Sequence, residues 1–196
     1  MCYVESNGKG KFEDMSSAVR RKAIQAAREY ANFRPIFLDT ETTGLHNTAE
    51  IVEISIVDYD GTVLLDTLVK PAYSIPWEVI RVHGITDEMV VEAPSWTEVW
   101  PQVEKLLQGR YVGIYNADFD IRMMKQSHDL NGMSWEMSEV RDFCIMKLYA
   151  QFYGTGRWQK LESARRQCGL ALPNTHRAKD DTLLVHAIFE HMVNAF

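Results

Sequence analysis

The hydrophobic pattern of the chain alternates short apolar runs with amphipathic stretches. Five runs have the length and composition of strands, at 36–38, 51–58, 63–69, 111–115 and 140–143. Amphipathic segments with helix caps and stops predict helices at 16–33, 76–83, 95–107, 118–130, 145–152, 160–168 and 177–195. Asp60-Gly61 is a strong hairpin signal between the second and third runs. A strand hairpin followed by alternating helices and strands predicts an α/β fold with a mixed sheet.

Length and composition bound the class of protein. The chain has 196 residues, which suits one domain or one domain with an added segment. Hydrophobic residues make up 46%, enough for a full core, and the apolar runs are too short to cross a bilayer. The three cysteines are an odd number with no close pairing or zinc-ligand spacing, which predicts reduced thiols in a cytoplasmic protein.

The net charge of −6 argues mildly against a nucleic-acid-binding protein, which usually carries a basic face. The objection weakens if several carboxylates serve to hold divalent cations, because bound metal reverses the local sign of charge.

Two acidic pairs follow predicted strands. Asp39 and Glu41 come directly after the run 36–38, and residues two apart in an extended chain point to the same face. Two carboxylates side by side on a half-buried surface need compensation, which a divalent cation supplies; taken alone, an ordinary acidic loop explains them equally well. Asp118 fits a simple helix-capping role, whereas Asp120 lies on the same helical stripe as two methionines.

A third acidic position lies on the last predicted helix. Asp181 falls on the core-facing stripe formed with Leu184, Val185, Ile188 and Met192. An acid there is costly unless it is paired or metal-bound. His176 stands at the start of this helix, where it can reach the same space, although a capping or surface histidine is the simpler interpretation of it alone.

Taken together, the three places predict a metal centre. The ends of neighbouring strands in an open α/β sheet converge on one crevice. Four carboxylates there can hold two Mg²⁺ or Mn²⁺ ions, an arrangement that activates water and stabilises both the attacking and the leaving oxygen in phosphodiester cleavage. A nearby histidine can take the proton of the water at neutral pH.

These segments resemble the motifs of the DEDDh family of 3′→5′ exonucleases, which includes bacterial proofreading subunits, exodeoxyribonuclease X and ribonuclease T. FLDTETTGL at 37–45 resembles the first motif, NADFD at 116–120 the second, and HRAKDD at 176–181 the third. The tyrosine-type sister subclass has a tyrosine where this chain has Arg177. Tyr115 is a departure, since many members have histidine there.

The resemblance implies a ribonuclease-H-like fold, with a mixed five-stranded sheet flanked by helices. It implies an exonuclease domain at 34–196, preceded by an N-terminal extension with a helix at 1–33. The implied metal ligands are Asp39, Glu41, Asp120 and Asp181. The implied catalytic residues are His176, as general base, and Glu41. The implied substrate-binding residues are Thr42 at the 3′-hydroxyl, Leu45 as a wedge against the terminal base, and Gly44, His83 and Asn116.

The expected activity is hydrolysis of the terminal phosphodiester of DNA, with release of nucleoside 5′-monophosphates. The expected cofactors are two Mg²⁺ ions, with Mn²⁺ able to substitute, and the expected substrates are single-stranded or frayed 3′ ends. RNA stays open as a substrate, because the choice depends on how the pocket treats the 2′-hydroxyl. The alternatives are an RNA-trimming exoribonuclease, a polymerase proofreading subunit and a non-catalytic nucleic-acid-binding module. The extra N-terminal helix is a candidate for homodimerisation, and no membrane association is expected.

Overall fold

The protein is described by a computed structural model that covers residues 9–136, 140–154 and 156–196, with side chains from residue 17 onward. Its centre is a five-stranded sheet with the order β3-β2-β1-β4-β5. The strands are β1 Ile36–Thr42, β2 Ile51–Val57, β3 Val63–Leu68, β4 Tyr111–Ile114 and β5 Arg141–Cys144. β2 pairs antiparallel with β1 and β3, whereas β4 pairs parallel with β1 and β5. The predicted α/β fold with a mixed five-stranded sheet is confirmed.

Eight helices are present in the described part of the chain. They are α1 Lys9–Asn32, α2 Trp77–His83, α3 Asp87–Val90, α4 Trp96–Leu107, α5 Ala117–Leu130, α6 Ile145–Tyr153, α7 Leu161–Gln167 and α8 Ala178–Val193. α1 begins at Lys9, earlier than the predicted start at residue 16, and the short α3 was not predicted. No helix in the ranges described is long and apolar enough to cross a membrane.

Helices cover both faces of the sheet. α4 and α5 close one face around a core that includes Leu38, Ile54 and Trp100. α1, α6 and α8 close the other face, where Ala23 and Ala27 of α1 pack in the same core cluster as Phe37. Of the helices, α8 makes the most extensive contact with β1 and β2. The last helix is therefore held directly beside the strand that carries the first acidic motif.

β1 is longer than its apolar run predicted. Pairing with β2 continues from Phe37 to Thr42, with an irregularity between Glu41 and Thr42. Asp39 and Glu41 therefore lie within a central strand rather than in a loop after it. Because alternate strand residues share a face, both carboxylates point toward α8 and are fixed by the backbone ladder.

Candidate active site

Four carboxylates from three separate elements line one cleft. The cleft has a volume of about 640 Å³. Asp39 and Glu41 come from β1, Asp120 from the first turn of α5 and Asp181 from the first turn of α8. His176, which precedes α8, lines the same cleft. The structure thus brings together all five residues that the motifs indicated as metal ligands or catalytic groups.

The ligand atoms of Glu41, His176 and Asp181 all lie within 4.8 Å of one another. Asp181 is 5% exposed, and its Oδ1 has no hydrogen-bond partner among the described residues. A buried carboxylate oxygen without a partner is costly unless a cation satisfies it. Carboxylate oxygens are the ligands that Mg²⁺ and Mn²⁺ prefer, so the residues present fit a hard divalent cation.

Asp120 is held in place by β1. The Thr40 hydroxyl donates to Asp120 Oδ1 at 2.7 Å, and the Thr40 backbone N–H donates to the same oxygen at 3.2 Å. Asp118, two positions earlier, is exposed and pairs with Lys147 at 2.6 Å. The second motif therefore contains one acid that faces the cleft and one that faces solvent.

Crowding of buried and half-buried acids sets the electrostatics of the site. Burial raises the pKa of Glu41 to about 9, and the charges of Asp181 and Glu53 add to the rise. Burial likewise raises the pKa of Asp39 well above its usual value, with Asp120 and Glu41 contributing. The pKa of Asp120 rises to about 7 through burial, although its hydrogen bonds to Thr40 oppose the shift.

Burial also raises the pKa of Asp181 to about 6, with His176 opposing the rise. Because the pKa values of all four acids are raised, binding of a divalent cation among them would be coupled to proton release.

An ion pair that the sequence did not reveal ties α8 to the sheet. Glu53 of β2 is 3% exposed and lies opposite Glu41 in the strand register. Its carboxylate accepts hydrogen bonds from Arg177 Nε at 3.1 Å and Arg177 Nη2 at 2.5 Å, and from the Ala178 backbone N–H at 2.8 Å. Arg177 makes no local side-chain cap for α8, so Glu53 caps the helix from another element.

This tether fixes the backbone next to His176. His176 has a φ of 54°, in the left-handed region that non-glycine residues rarely adopt, and the tethered Arg177 follows it directly. A glutamate inside the fully buried strand IVEISIV was the available sequence signal, because a buried acid requires a partner.

The residues expected to contact substrate lie around the end of β1. Thr42 is buried, and its hydroxyl donates to the Gly44 carbonyl at 2.8 Å. Gly44 has a φ of 153° and a Cβ there would come within 3.1 Å of His46, so glycine suits this turn. The turn presents Leu45, which is 76% exposed. Asn116 is also exposed and lines the cleft.

His83 is placed differently from these residues. Its ring is 3% exposed, and Nδ1 accepts the backbone N–H of Ile85 at 3.0 Å. Burial lowers its pKa, whereas the backbone of Thr42 opposes the shift, so the ring lies against the turn after β1. Nε2 makes no geometrically satisfactory hydrogen bond among the described residues. A role of His83 in substrate binding stays a prediction.

Tyr115 fixes the side of the cleft that is formed by the segment after α6. It is buried, and its hydroxyl donates to the Gln159 carbonyl at 2.8 Å. This bond holds the segment that follows α6 and carries Trp158 and Lys160 into the lining of the cleft. The departure from the usual histidine at residue 115 thus coincides with a structural contact.

Comparison with known proteins shows similarity to exonucleases. The exonuclease family RNase T matches residues 36–189. An uncharacterized exonuclease of Escherichia phage 186, CP81, is 40% identical over 177 residues, covering 85% of this chain and 91% of the relative. DNA polymerase III subunit epsilon of Treponema pallidum (strain Nichols) is 32% identical over 175 residues, covering 87% and 80%.

Solved structures share the fold. Exonuclease X in complex with 5′ overhanging duplex DNA superposes with a TM-score of 0.61 at 25% identity, covering 80% of this chain and 90% of that one. The nuclease domain of 3′hExo, a DEDDh family member bound to rAMP, gives a TM-score of 0.66 at 18% identity, covering 80% and 89%. With the match over residues 36–189, the chain belongs to the RNase T family of exonucleases.

Proposed function

We propose that the protein removes nucleotides one at a time from the 3′ ends of DNA, by two-metal hydrolysis of the terminal phosphodiester. The observation that carries the proposal is the approach of Glu41, His176 and Asp181 to within 4.8 Å, with Asp181 Oδ1 buried and unsatisfied. The preferred substrate is a single-stranded or frayed end.

His176 is the proposed general base. It is exposed to the cleft, where a water molecule can reach it, and it stands beside carboxylates that stabilise the imidazolium formed on proton transfer. The water oxygen forms a bond to phosphorus as the bond from phosphorus to the upstream 3′-oxygen breaks. The products are a nucleoside 5′-monophosphate and a chain with a new 3′-hydroxyl.

Asp39, Glu41, Asp120 and Asp181 are the proposed ligands of two Mg²⁺ ions. When bound, the ions neutralise the charge of the reacting phosphate and lower the pKa of the attacking water. The chain contributes a rigid ligand set, because Asp39 and Glu41 belong to a central strand and Thr40 fixes Asp120.

The proposed pocket for the terminal nucleotide is the turn after β1. Thr42 and Gly44 are linked by a hydrogen bond that shapes this turn, and the exposed Leu45 can wedge against the terminal base. Asn116, at the start of α5, lines the same cleft and is the proposed contact to the sugar-phosphate backbone. Cytoplasmic location, as the cysteine pattern suggested, and homodimerisation stay predictions.

The test uses 5′-labelled single-stranded DNA, duplex DNA and RNA, each with Mg²⁺, Mn²⁺ or EDTA. Wild-type protein is compared with Asp120→Asn and His176→Ala, and with two matched controls, Asp118→Asn and His191→Ala. Asp118 is an exposed acid in the same motif, and His191 is an exposed histidine near the end of α8, outside the cleft lining. We expect a metal-dependent ladder that shortens from the 3′ end, lost in the first two variants and kept in the controls.

Folded wild-type protein that cleaves none of these substrates would refute a free-standing nuclease. A proofreading subunit that requires its polymerase, or a non-catalytic binding module, would then be favoured. Faster cleavage of RNA than of DNA would show that RNA is the preferred substrate, with the proposed chemistry unchanged.

A further inference from the structure

We infer that Trp158 forms a second substrate subsite, at which an unpaired nucleobase upstream of the cleaved linkage stacks on the indole ring. The inference rests on the proposed function and concerns the part of the substrate that binds at Trp158. Trp158 is 65% exposed although it lines the catalytic cleft. A large aromatic side chain left in water beside a cluster of catalytic carboxylates is suited to a ligand with an aromatic face.

The segment that presents Trp158 is held on both sides. Tyr115 donates to the carbonyl of Gln159 at 2.8 Å, and the Gln159 side chain donates to the carbonyl of Arg157 at 3.1 Å. The backbone before and after Trp158 is thus fixed while the ring itself stays accessible. Such pre-organisation reduces the entropy lost when a base stacks on the ring.

The surroundings of Trp158 match the chemistry of a nucleic-acid strand. The cleft floor carries the carboxylates that would hold cations at the scissile phosphate, and Phe119 and Met146 provide further apolar lining. Lys160, two residues after Trp158, is exposed at the same cleft and can face a phosphate. Aromatic platforms combined with basic groups are the usual means of binding single strands without sequence preference.

The position of Trp158 selects the upstream base. The proposed terminal-nucleotide pocket follows β1 toward β2, whereas the segment that carries Trp158 is bonded to Tyr115, which directly follows β4. A strand with its terminal nucleotide at Leu45 and its scissile phosphate at the carboxylates would place a preceding base near Trp158. A base stacked on the ring has left its partner strand, so the subsite favours single-stranded or frayed ends.

The test combines removal of the ring with removal of the base. Wild type and Trp158→Ala bind 5′-fluorescein single-stranded DNA with non-hydrolysable phosphorothioate linkages, in Mg²⁺, and the dissociation constant is read from fluorescence anisotropy. A parallel series carries one abasic residue at successive positions from the 3′ end. Trp158→Phe keeps an aromatic face, and Trp77→Ala is the matched control, since Trp77 is 61% exposed outside the described lining of this cleft.

We expect Trp158→Ala to weaken binding about 5- to 150-fold, the range for loss of one stacked base, with Trp158→Phe near wild type and Trp77→Ala unchanged. An abasic residue at one position upstream of the terminal nucleotide should weaken wild type by a similar factor and leave Trp158→Ala unaffected. The inference would be overturned if the losses of affinity caused by Trp158→Ala and by the abasic residue were additive at every position. It would also be overturned if the two losses were non-additive only at the terminal nucleotide. The binding series does not depend on cleavage, so failure of the subsite and failure of the proposed hydrolysis are distinguished.

Discussion

Replacing Glu53 by alanine should reduce catalysis without removing any residue that lines the cleft. The substitution deletes the acceptor of the Arg177 guanidinium and of the Ala178 N–H, and so releases the start of α8 from β2. Because His176 directly precedes Arg177, its imidazole would lose its fixed position relative to Asp181. The expected result is a fall in kcat together with a fall in stability.

The size of the effect follows from the contacts. Breaking a fully buried ion pair costs about 3–5 kcal/mol, but the Arg177 side chain is 39% exposed and can recover part of its hydration. Loss of the helix cap adds about 1 kcal/mol. We therefore expect the free energy of unfolding to fall by about 3 kcal/mol. A displacement of His176 of about 1 Å would lower kcat about 100-fold.

The assay measures kcat, KM and thermal unfolding at saturating Mg²⁺, so that the lost negative charge near Glu41 does not act through metal affinity. Glu53→Gln keeps one acceptor oxygen and should fall between wild type and Glu53→Ala. Asp66→Ala is the matched control, because the Asp66–Lys179 pair joins the same helix to β3 at the surface, at 3.6 Å, and should contribute less than about 1 kcal/mol. If Glu53→Ala unfolds at a lower temperature but keeps its kcat, the tether stabilises the fold without positioning His176.

Three further predictions follow from the site. Burial raises the pKa of Asp181 from 3.8 to about 6, so the metal-free folded protein binds more protons than the unfolded chain and should lose roughly 3 kcal/mol of stability from this group as the pH rises through that range. Melting in EDTA across pH 4 to 8 measures the total loss, to which Asp120 also contributes. The difference between wild type and Asp181→Asn isolates the share of Asp181, and parallel profiles of the two proteins would contradict the prediction. Thr40→Val deletes the hydroxyl bond to Asp120 and should weaken Mn²⁺ binding about 10-fold by calorimetry, because a hydrogen bond to a charged acceptor contributes about 1.5–3 kcal/mol; unchanged affinity would argue against this support. Tyr115→Phe removes the hydrogen bond to the Gln159 carbonyl and should weaken binding of single-stranded DNA a few-fold, with little change in kcat. Equal binding would show that this hydrogen bond does not position the segment for the substrate.

Much of the site was predictable because its acidic residues occupy positions within otherwise apolar sequence patterns. Asp181 lies on a stripe of apolar residues, and an acid in that place requires a partner whatever the fold; the structure buries it as the pattern predicted. The strand-to-helix junction at Asn116 likewise located Asp120, since the fourth strand and α5 form where their patterns indicated. In these cases the information is local to one element.

The remainder depends on contacts between elements. Asp and Glu are poor strand formers, so the apolar run alone did not indicate that β1 continues to Thr42; pairing with β2 overrides that propensity. The Glu53–Arg177 pair joins residues 124 positions apart, and its partners are defined only by how α8 lies on the sheet. The burial of His83 depends in the same way on the packing of α2, which the hydrophobic pattern of a seven-residue helix does not specify.

The sequence separation of these contacts also determines when the site can form. Thr40 and Asp120 are 80 residues apart, and Glu53 and Arg177 are 124 apart. During synthesis Asp39, Glu41 and Asp120 emerge from the ribosome before His176 and Asp181. Before α8 packs on the sheet, the chain lacks the proposed general base and the proposed fourth ligand. The proposed activity therefore depends on a contact that can form only after residues 176–181 have been synthesised.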